Sequence, residues 1–280
     1  MQNPSIQSVS INRFFNDSSE ATTDFVVIEE PVEIRLQYHD SHKGWVTKPV
    51  SITMRTPGDD EALAVGFLKT EGIIEANEVE SVKGAWDNTV TVKLKEDIQP
   101  DFQKLQRNFY ATSSCGVCGK SSLDALGYSY EHLNFVDTLP PLSPELIASL
   151  PQQLSQVQSV FEQTGGIHAA GVFDWEGRLA FHAEDVGRHN AVDKIAGKAL
   201  LQKKLPFNAH LLVLSGRACF ELLHKALAIN IPVVIAVGAP SSLAIETAAR
   251  FGQTLIGFTR HQRFNVYTHP QRVAPIHQLA

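Results

Sequence analysis

Two of the three cysteines in this 280-residue chain share one short stretch, Ser113-Ser114-Cys115-Gly116-Val117-Cys118-Gly119-Lys120. Gly116 and Gly119 predict a mobile backbone with little cover over the sulfurs, and the Lys120 charge favours thiolate over thiol. Residues 121–126 read as a helix, whose N-terminal dipole lowers a thiol pKa further. Such a thiolate accepts a sulfur atom as a persulfide or exchanges disulfides. Two exposed thiols without a use are an oxidation hazard, which argues against a purely structural pair. A Cys-x-x-Cys with no second pair points to redox or sulfur chemistry more than to a closed zinc site. Cys219, in Arg217-Ala218-Cys219-Phe220, reads as a small buried apolar residue.

Other constellations carry further chemistry. His182-Ala183-Glu184 matches the His-x-Glu half of a zinc deaminase, with Cys115 and Cys118 as its cysteines. The order is reversed, however, no proline precedes Cys115, and His182 falls on a strand, so no metal site is expected. In 184–194, Glu-Asp-Val-Gly-Arg-His-Asn-Ala-Val-Asp-Lys crowds a strand-to-helix junction, where α/β folds bind ligands. Arg188, His189 and Asn190 are expected to face a ligand there, and Lys194 a solvated helix turn. His168, after Thr164-Gly165-Gly166-Ile167, is equally a ligand or a core histidine. Ser215-Gly216-Arg217 and Gly238-Ala239-Pro240-Ser241-Ser242 each follow a buried strand, where helix-start amides suit an anion. Phe258, Thr259, Arg260, His261, Gln262 and Arg263 leave the last core strand with two arginine forks for phosphate and a ring for a base.

These residues need a scaffold, and the patterning supplies one. Alternating runs at 24–29, 32–38 and 45–55 predict strands, after a leading segment that reads as a strand or a frayed tail. Thr56-Pro57-Gly58 ends the last strand, and Asp59-Asp60-Glu61 opens a helix that runs to Gly72. Strands at 79–86 and 89–95 meet across Asp87-Asn88. Ser143-Pro144-Glu145 starts a helical stretch, interrupted at Pro151 and ending at Thr164-Gly165-Gly166. Beyond it come a hairpin (168–173, 178–183), a helix (187–202), and buried strands at 210–214, 232–237 and 254–258 that alternate with helices at 221–228 and 241–251. Apolar strands alternating with helices imply a sheet covered on both faces, a three-layer α/β/α arrangement. The division expected is residues 1–138, a smaller α+β domain ending in the Cys-x-x-Cys loop, and 139–280, the α/β/α domain.

Hydrophobic residues make up 43% and charged residues 19%, the balance of a globular chain able to bury a core. A net charge of −6 excludes wholesale electrostatic binding of nucleic acid, leaving room for a local basic pocket. The low, odd cysteine count fits a reducing compartment. Neither a signal peptide nor a membrane span is expected, so the location expected is cytoplasmic.

The cysteine stretch, Thr164-Gly165-Gly166-x-His168-Ala169-Ala170, the 184–194 segment and Arg263-Phe264-Asn265-Val266-Tyr267 together resemble the FdhD family, the formate dehydrogenase accessory sulfurtransferases. Arg55-Thr56-Pro57-Gly58-Asp59-Asp60-Glu61 and Thr70-Glu71-Gly72-Ile73-Ile74 are similar to it too, so the likeness runs from about Val26 to Tyr267. The resemblance implies a homodimeric sulfurtransferase. Persulfide sulfur would pass from a cysteine desulfurase to the molybdenum cofactor, Mo-bis(molybdopterin guanine dinucleotide), before its insertion into the formate dehydrogenase catalytic subunit. It places the persulfide on Cys115, with Cys118 as a relay candidate, and cofactor binding on Phe258, Thr259, Arg260, His261, Gln262 and Arg263. It also implies a cytidine-deaminase-like C-terminal domain lacking the zinc site. Two readings compete: a cofactor-binding chaperone without chemistry, and a dithiol–disulfide oxidoreductase.

Overall fold

The computed structural model describes residues 4–85, 87–100, 135, 140–260 and 263–275. The leading segment is a hairpin of β1 (Ile6–Phe14) and β2 (Ser19–Val27), paired in register along its whole length. A four-stranded sheet follows, ordered β4-β3-β6-β5, from β3 (Glu30–Asp40), β4 (Gly44–Arg55), β5 (Val79–Ala85) and β6 (Thr89–Leu94). In β3 the alternate residues Val32, Ile34, Leu36 and Tyr38 are buried, the two-residue period that commits one face of a strand to a core. With Val90, Val92 and Leu94 of β6 they pack on Leu63, Ala64, Val65 and Leu68 of helix α1 (Asp60–Thr70).

The second sheet has six strands in the order β12-β11-β10-β9-β7-β8. They are β7 (His168–Asp174), β8 (Leu179–Asp185), β9 (His210–Leu214), β10 (Val233–Ala236), β11 (Thr254–Arg260) and β12 (Arg263–Val266). Strands β9, β10 and β11 run parallel, and β7, β8 and β12 are antiparallel additions at the edges. Alternation again assigns the faces. Leu211 and Val213 meet Ile147, Leu150 and Leu154 of α2 (Pro144–Ser155). Leu212 and Leu214 meet α4 (Arg188–Leu201), α5 (Phe220–Ala228) and α6 (Ser242–Arg250) on the other side. The expected three layers are present.

The helical stretch before β7 differs from expectation in one respect. Helix α2 runs through Pro151, and the break comes only at 156–158, before α3 (Ser159–Thr164). Pro151 lies on a side of α2 that borders a cleft, and its missing N–H removes one bond of the helical ladder, to the Ile147 carbonyl, without ending the helix. The predicted ends hold: Ser143 Oγ accepts from the Leu146 amide at 3.1 Å, and Gly165 closes α3 at φ 64°.

The two sheets are joined helix to helix. Residues 190–197 of α4 are all buried, because α4 lies between its own sheet and α1. Glycines set the distance: a Cβ at Gly66 would sit 1.8 Å from the Asp193 carbonyl oxygen, and one at Gly197 1.8 Å from that of Ala62. Only side chains of hydrogen let the backbones approach this closely.

Candidate functional site

A cleft of about 1280 Å³ opens between helices α2 and α3 and the ends of β7, β9, β10 and β11. It exceeds the roughly 300–1,000 Å³ of ordinary small-molecule sites, so a dinucleotide-sized ligand has room. Its floor is made by three loops at the carboxyl ends of the parallel strands. The Gly238 amide donates to the Gly216 carbonyl at 2.9 Å, the Ser241 amide to Ala218 at 3.0 Å, and the Phe258 amide to Gly238 at 3.1 Å. The two glycine-bearing turns singled out in the sequence are thus neighbours, as ligand sites at strand ends require. They serve different ends: Ser241 caps α6, whereas Ser215 Oγ accepts from the Ala169 amide at 2.8 Å and fixes the start of β7.

Beside Gly216 lies the ring of His168, which lines the cleft. Burial holds its pKa below the ordinary histidine value, and the charges of Arg188 and Arg217 push the same way. Two guanidinium groups near enough to act on this ring give the site a positive character that suits an anionic guest. Two buried polar atoms, Arg188 Nε and Thr259 Oγ1, make no hydrogen bond to the described residues, and Thr259 with Arg260 borders the cleft. Buried polar atoms in native proteins are normally satisfied, so Thr259 Oγ1 marks a place for a ligand or water.

The segment expected to bind the cofactor spans an irregular end of the β11–β12 pair. A register shift between Gly257 and Arg260 bulges β11 against β12 and leaves Phe258 at φ 54°, with 45% of its surface exposed. The bulge turns Thr259 inward, where it is buried, and Phe258 outward. Arg260 and Arg263 face each other across the hairpin. Like charges directly opposed repel, and an anion between them removes that cost. His261, Gln262, Cys115 and Cys118 lie outside the described residues.

The 184–194 segment divides differently from expectation. Asn190 does not face a ligand: its Nδ2 donates to Met54 O at 2.8 Å and to Asp185 Oδ1 at 2.9 Å. Lys194, expected on a solvated turn, is buried, with Nζ 2.7 Å from Asp185 and 2.9 Å from the Thr56 carbonyl. Thr56 completes the joint, its amide donating to Asp185 and its hydroxyl accepting from Val186. Next to it, buried Arg55 forks onto both carboxylate oxygens of Asp60 at 2.9 Å. Glu184 accepts from the Val160 and Phe161 amides at 3.0 and 2.9 Å, holding the start of α3 against the cleft. Thr70 and Glu71 belong to a second buried network in which Lys225 reaches Glu71 at 2.8 Å and Asp193 at 2.9 Å. Desolvation pushes the Asp193 carboxyl up, while Lys225 holds Glu71 below the carboxylate range against its own burial.

Cys219 departs from its sequence reading. It is half-buried, with Sγ 3.3 Å from His189 Nε2, and Glu221 stands beside both. Nothing local announced this, because His189 and Cys219 start different helices.

Residues 27–274 match the model of the FdhD/NarQ family. The chain belongs to that family. It is 48% identical over 263 residues to the sulfur carrier protein FdhD of Streptomyces avermitilis, covering 90% of this chain and 89% of that protein. The sulfur carrier protein FdhD of Sulfurisphaera tokodaii is 39% identical, covering 96% and 99%. In fold, the family member is similar to a crystal structure described as a putative formate dehydrogenase accessory protein from Desulfotalea psychrophila. The TM-score is 0.72 at 24% identity, over 97% of this chain and all of that one. Among the described residues no helix is long and apolar enough to cross a membrane.

Proposed function

We propose that this chain is a sulfur carrier serving formate dehydrogenase. Cys115 takes sulfane sulfur from a cysteine desulfurase and delivers it to the molybdenum cofactor in its bis(molybdopterin guanine dinucleotide) form, before insertion into the dehydrogenase. The chain acts in the cytoplasm as a homodimer. The observation that carries this reading is the family match over residues 27–274, a span that contains both Cys115 and Cys118.

The chemistry balances without an external oxidant in the loading step. The Cys115 thiolate attacks the outer sulfur of the donor persulfide. A new S–S bond forms at Cys115, the donor S–S bond breaks, and the donor leaves as thiolate. For discharge, Cys118 attacks Cys115 Sγ, closing a Cys115–Cys118 disulfide and releasing hydrosulfide toward the cofactor; a thiol reductant then restores both cysteines. The bound cofactor is substrate here, and the volume of the cleft supports this reading. Arg260, which lines the cleft, and Arg263 opposite it suit its phosphates, Thr259 and Ser215 line the cleft, and Phe258 near its edge carries an exposed ring suited to guanine.

Mass spectrometry after incubation with a desulfurase and cysteine tests this. Wild type gains one sulfur on Cys115, and Cys115→Ala gains none while keeping guanine-nucleotide binding. Sulfur appearing on Cys219 in Cys115→Ala defeats the assignment. A Cys115→Ala/Cys118→Ala variant that still supports active dehydrogenase in a strain lacking the carrier selects a cofactor chaperone instead.

A further inference from the structure

We infer that His189, Cys219 and Glu221 form a binding site for a zinc-like divalent cation, separate from the Cys115–Cys118 pair. His189 is the second residue of α4, Cys219 caps α5, and Glu221 lies in the first turn of α5. One ligand atom from each lies within 4.8 Å of the other two. The closest edge, His189 Nε2 to Cys219 Sγ, is 3.3 Å. Metal–nitrogen and metal–sulfur bonds of about 2.0–2.1 and 2.3 Å at a tetrahedral angle put the same two atoms about 3.5 Å apart. The pair therefore already stands at nearly the separation a tetrahedral ion needs. Glu221 is exposed, so its carboxylate can move in to complete the third contact, and water can take the fourth position.

The donor set selects the ion. Thiolate and imidazole favour zinc and its neighbours over magnesium or calcium, which prefer all-oxygen shells. On binding, the Cys219 thiol proton leaves to solvent and a metal–sulfur bond replaces the S–H bond. Arg188 and Lys225 lie close enough to act on His189, and two helix N-termini converge here. All of these oppose a naked cation. A thiolate and a carboxylate bring two negative charges, so the loaded site is neutral and the surrounding positive charge no longer repels it. The ion would clamp the starts of α4 and α5 together, and with them Arg188 and Arg217, which closely precede His189 and Cys219 in the chain and whose charges act on His168.

The full chain carrying Cys115→Ser and Cys118→Ser has Cys219 as its one thiol, and Co2+ is the optical probe. The expected result is one cobalt per chain, with thiolate-to-cobalt charge-transfer absorption and tetrahedral visible bands, all removed by adding Zn2+. Cys219→Ser in that background abolishes the charge-transfer band. His189→Gln and Glu221→Gln each weaken cobalt binding by more than about tenfold, the lower bound for groups that merely support a ligand. Wild type offers a second readout: Zn2+ raises its unfolding temperature, and Cys219→Ser removes that rise. No charge-transfer band at excess cobalt, or a band untouched by His189→Gln or by Glu221→Gln, overturns the three-ligand site.

Discussion

Replacing Gly66 or Gly197 with alanine sets two effects of opposite sign against each other. Alanine is the better helix former by about 0.8–1.0 kcal/mol, so local propensity alone makes each variant more stable. Packing opposes it. The new Cβ would lie 1.8 Å from a backbone carbonyl oxygen of the facing helix, Asp193 for Gly66 and Ala62 for Gly197. Side-chain rotation cannot relieve a clash between a Cβ and a main-chain atom, so the helices must separate by more than about 1 Å to regain van der Waals distance. Overpacking of this kind costs about 1–3 kcal/mol, and the upper end applies where both partners are backbone. Separation also strains the bonds that span the joint, Thr70 to Asp193 at 2.6 Å and Lys194 to Thr56 at 2.9 Å. The net loss expected is about 2 kcal/mol for each variant. In urea this lowers the unfolding midpoint by about 0.7 M for a slope near 3 kcal/mol per molar. The double variant should lose less than the sum, because helices already pushed apart accept the second methyl more easily. A midpoint unchanged or raised in either single variant refutes the close-packing argument.

Three other outcomes follow from the geometry. Lys225→Met leaves Asp193 and Glu71 buried without their cation and should cost about 3–5 kcal/mol in denaturant unfolding, while Lys225→Arg should recover part of that loss. Burial holds His168, His182 and His210 below the ordinary imidazole value, so just below pH 6.5 the unfolded chain binds more protons than the folded one. Their contribution is present above pH 6.5 and is lost as the pH falls toward the folded values; His210→Phe, which keeps a ring tilted against Phe207, should flatten the slope of unfolding midpoint against pH in that window. Arg260→Ala should weaken guanine-nucleotide binding about 10- to 100-fold by calorimetry, the worth of a charge-assisted hydrogen bond, without moving the unfolding midpoint.

What could be read in advance was local. The two-residue alternation of β3, the Ser143 cap and the Gly165 stop are properties of a few adjacent residues, and each predicted its element. The phosphate-suited turns after β9 and β10 were legible because strand-to-helix turns expose amides wherever they occur. Residues whose partners are distant in sequence resisted the same reading. Asn190 looks like a ligand at a helix start, yet it bonds Met54, 136 positions away. Lys194 looks like a surface charge until Asp185 and Thr56 are brought to it. Cys219 looked inert because His189 reaches it only after β9 has placed α4 and α5 side by side. The walls of the cleft from α2 and α3 carried no signal of their own, since an amphipathic helix shows which side faces the core but not what its polar side encloses.

Strand β8 ends on two adjacent carboxylates with opposite assignments. Glu184 secures the helix that walls the cleft, and Asp185, one residue on, is buried in the joint with the first sheet. Because neighbouring side chains of a strand point to opposite faces, a single backbone segment is answerable to both. The wall of the cleft and the joint with the first sheet are thus anchored through consecutive residues of one strand, so the end of β8 has no freedom to shift at one without being held at the other.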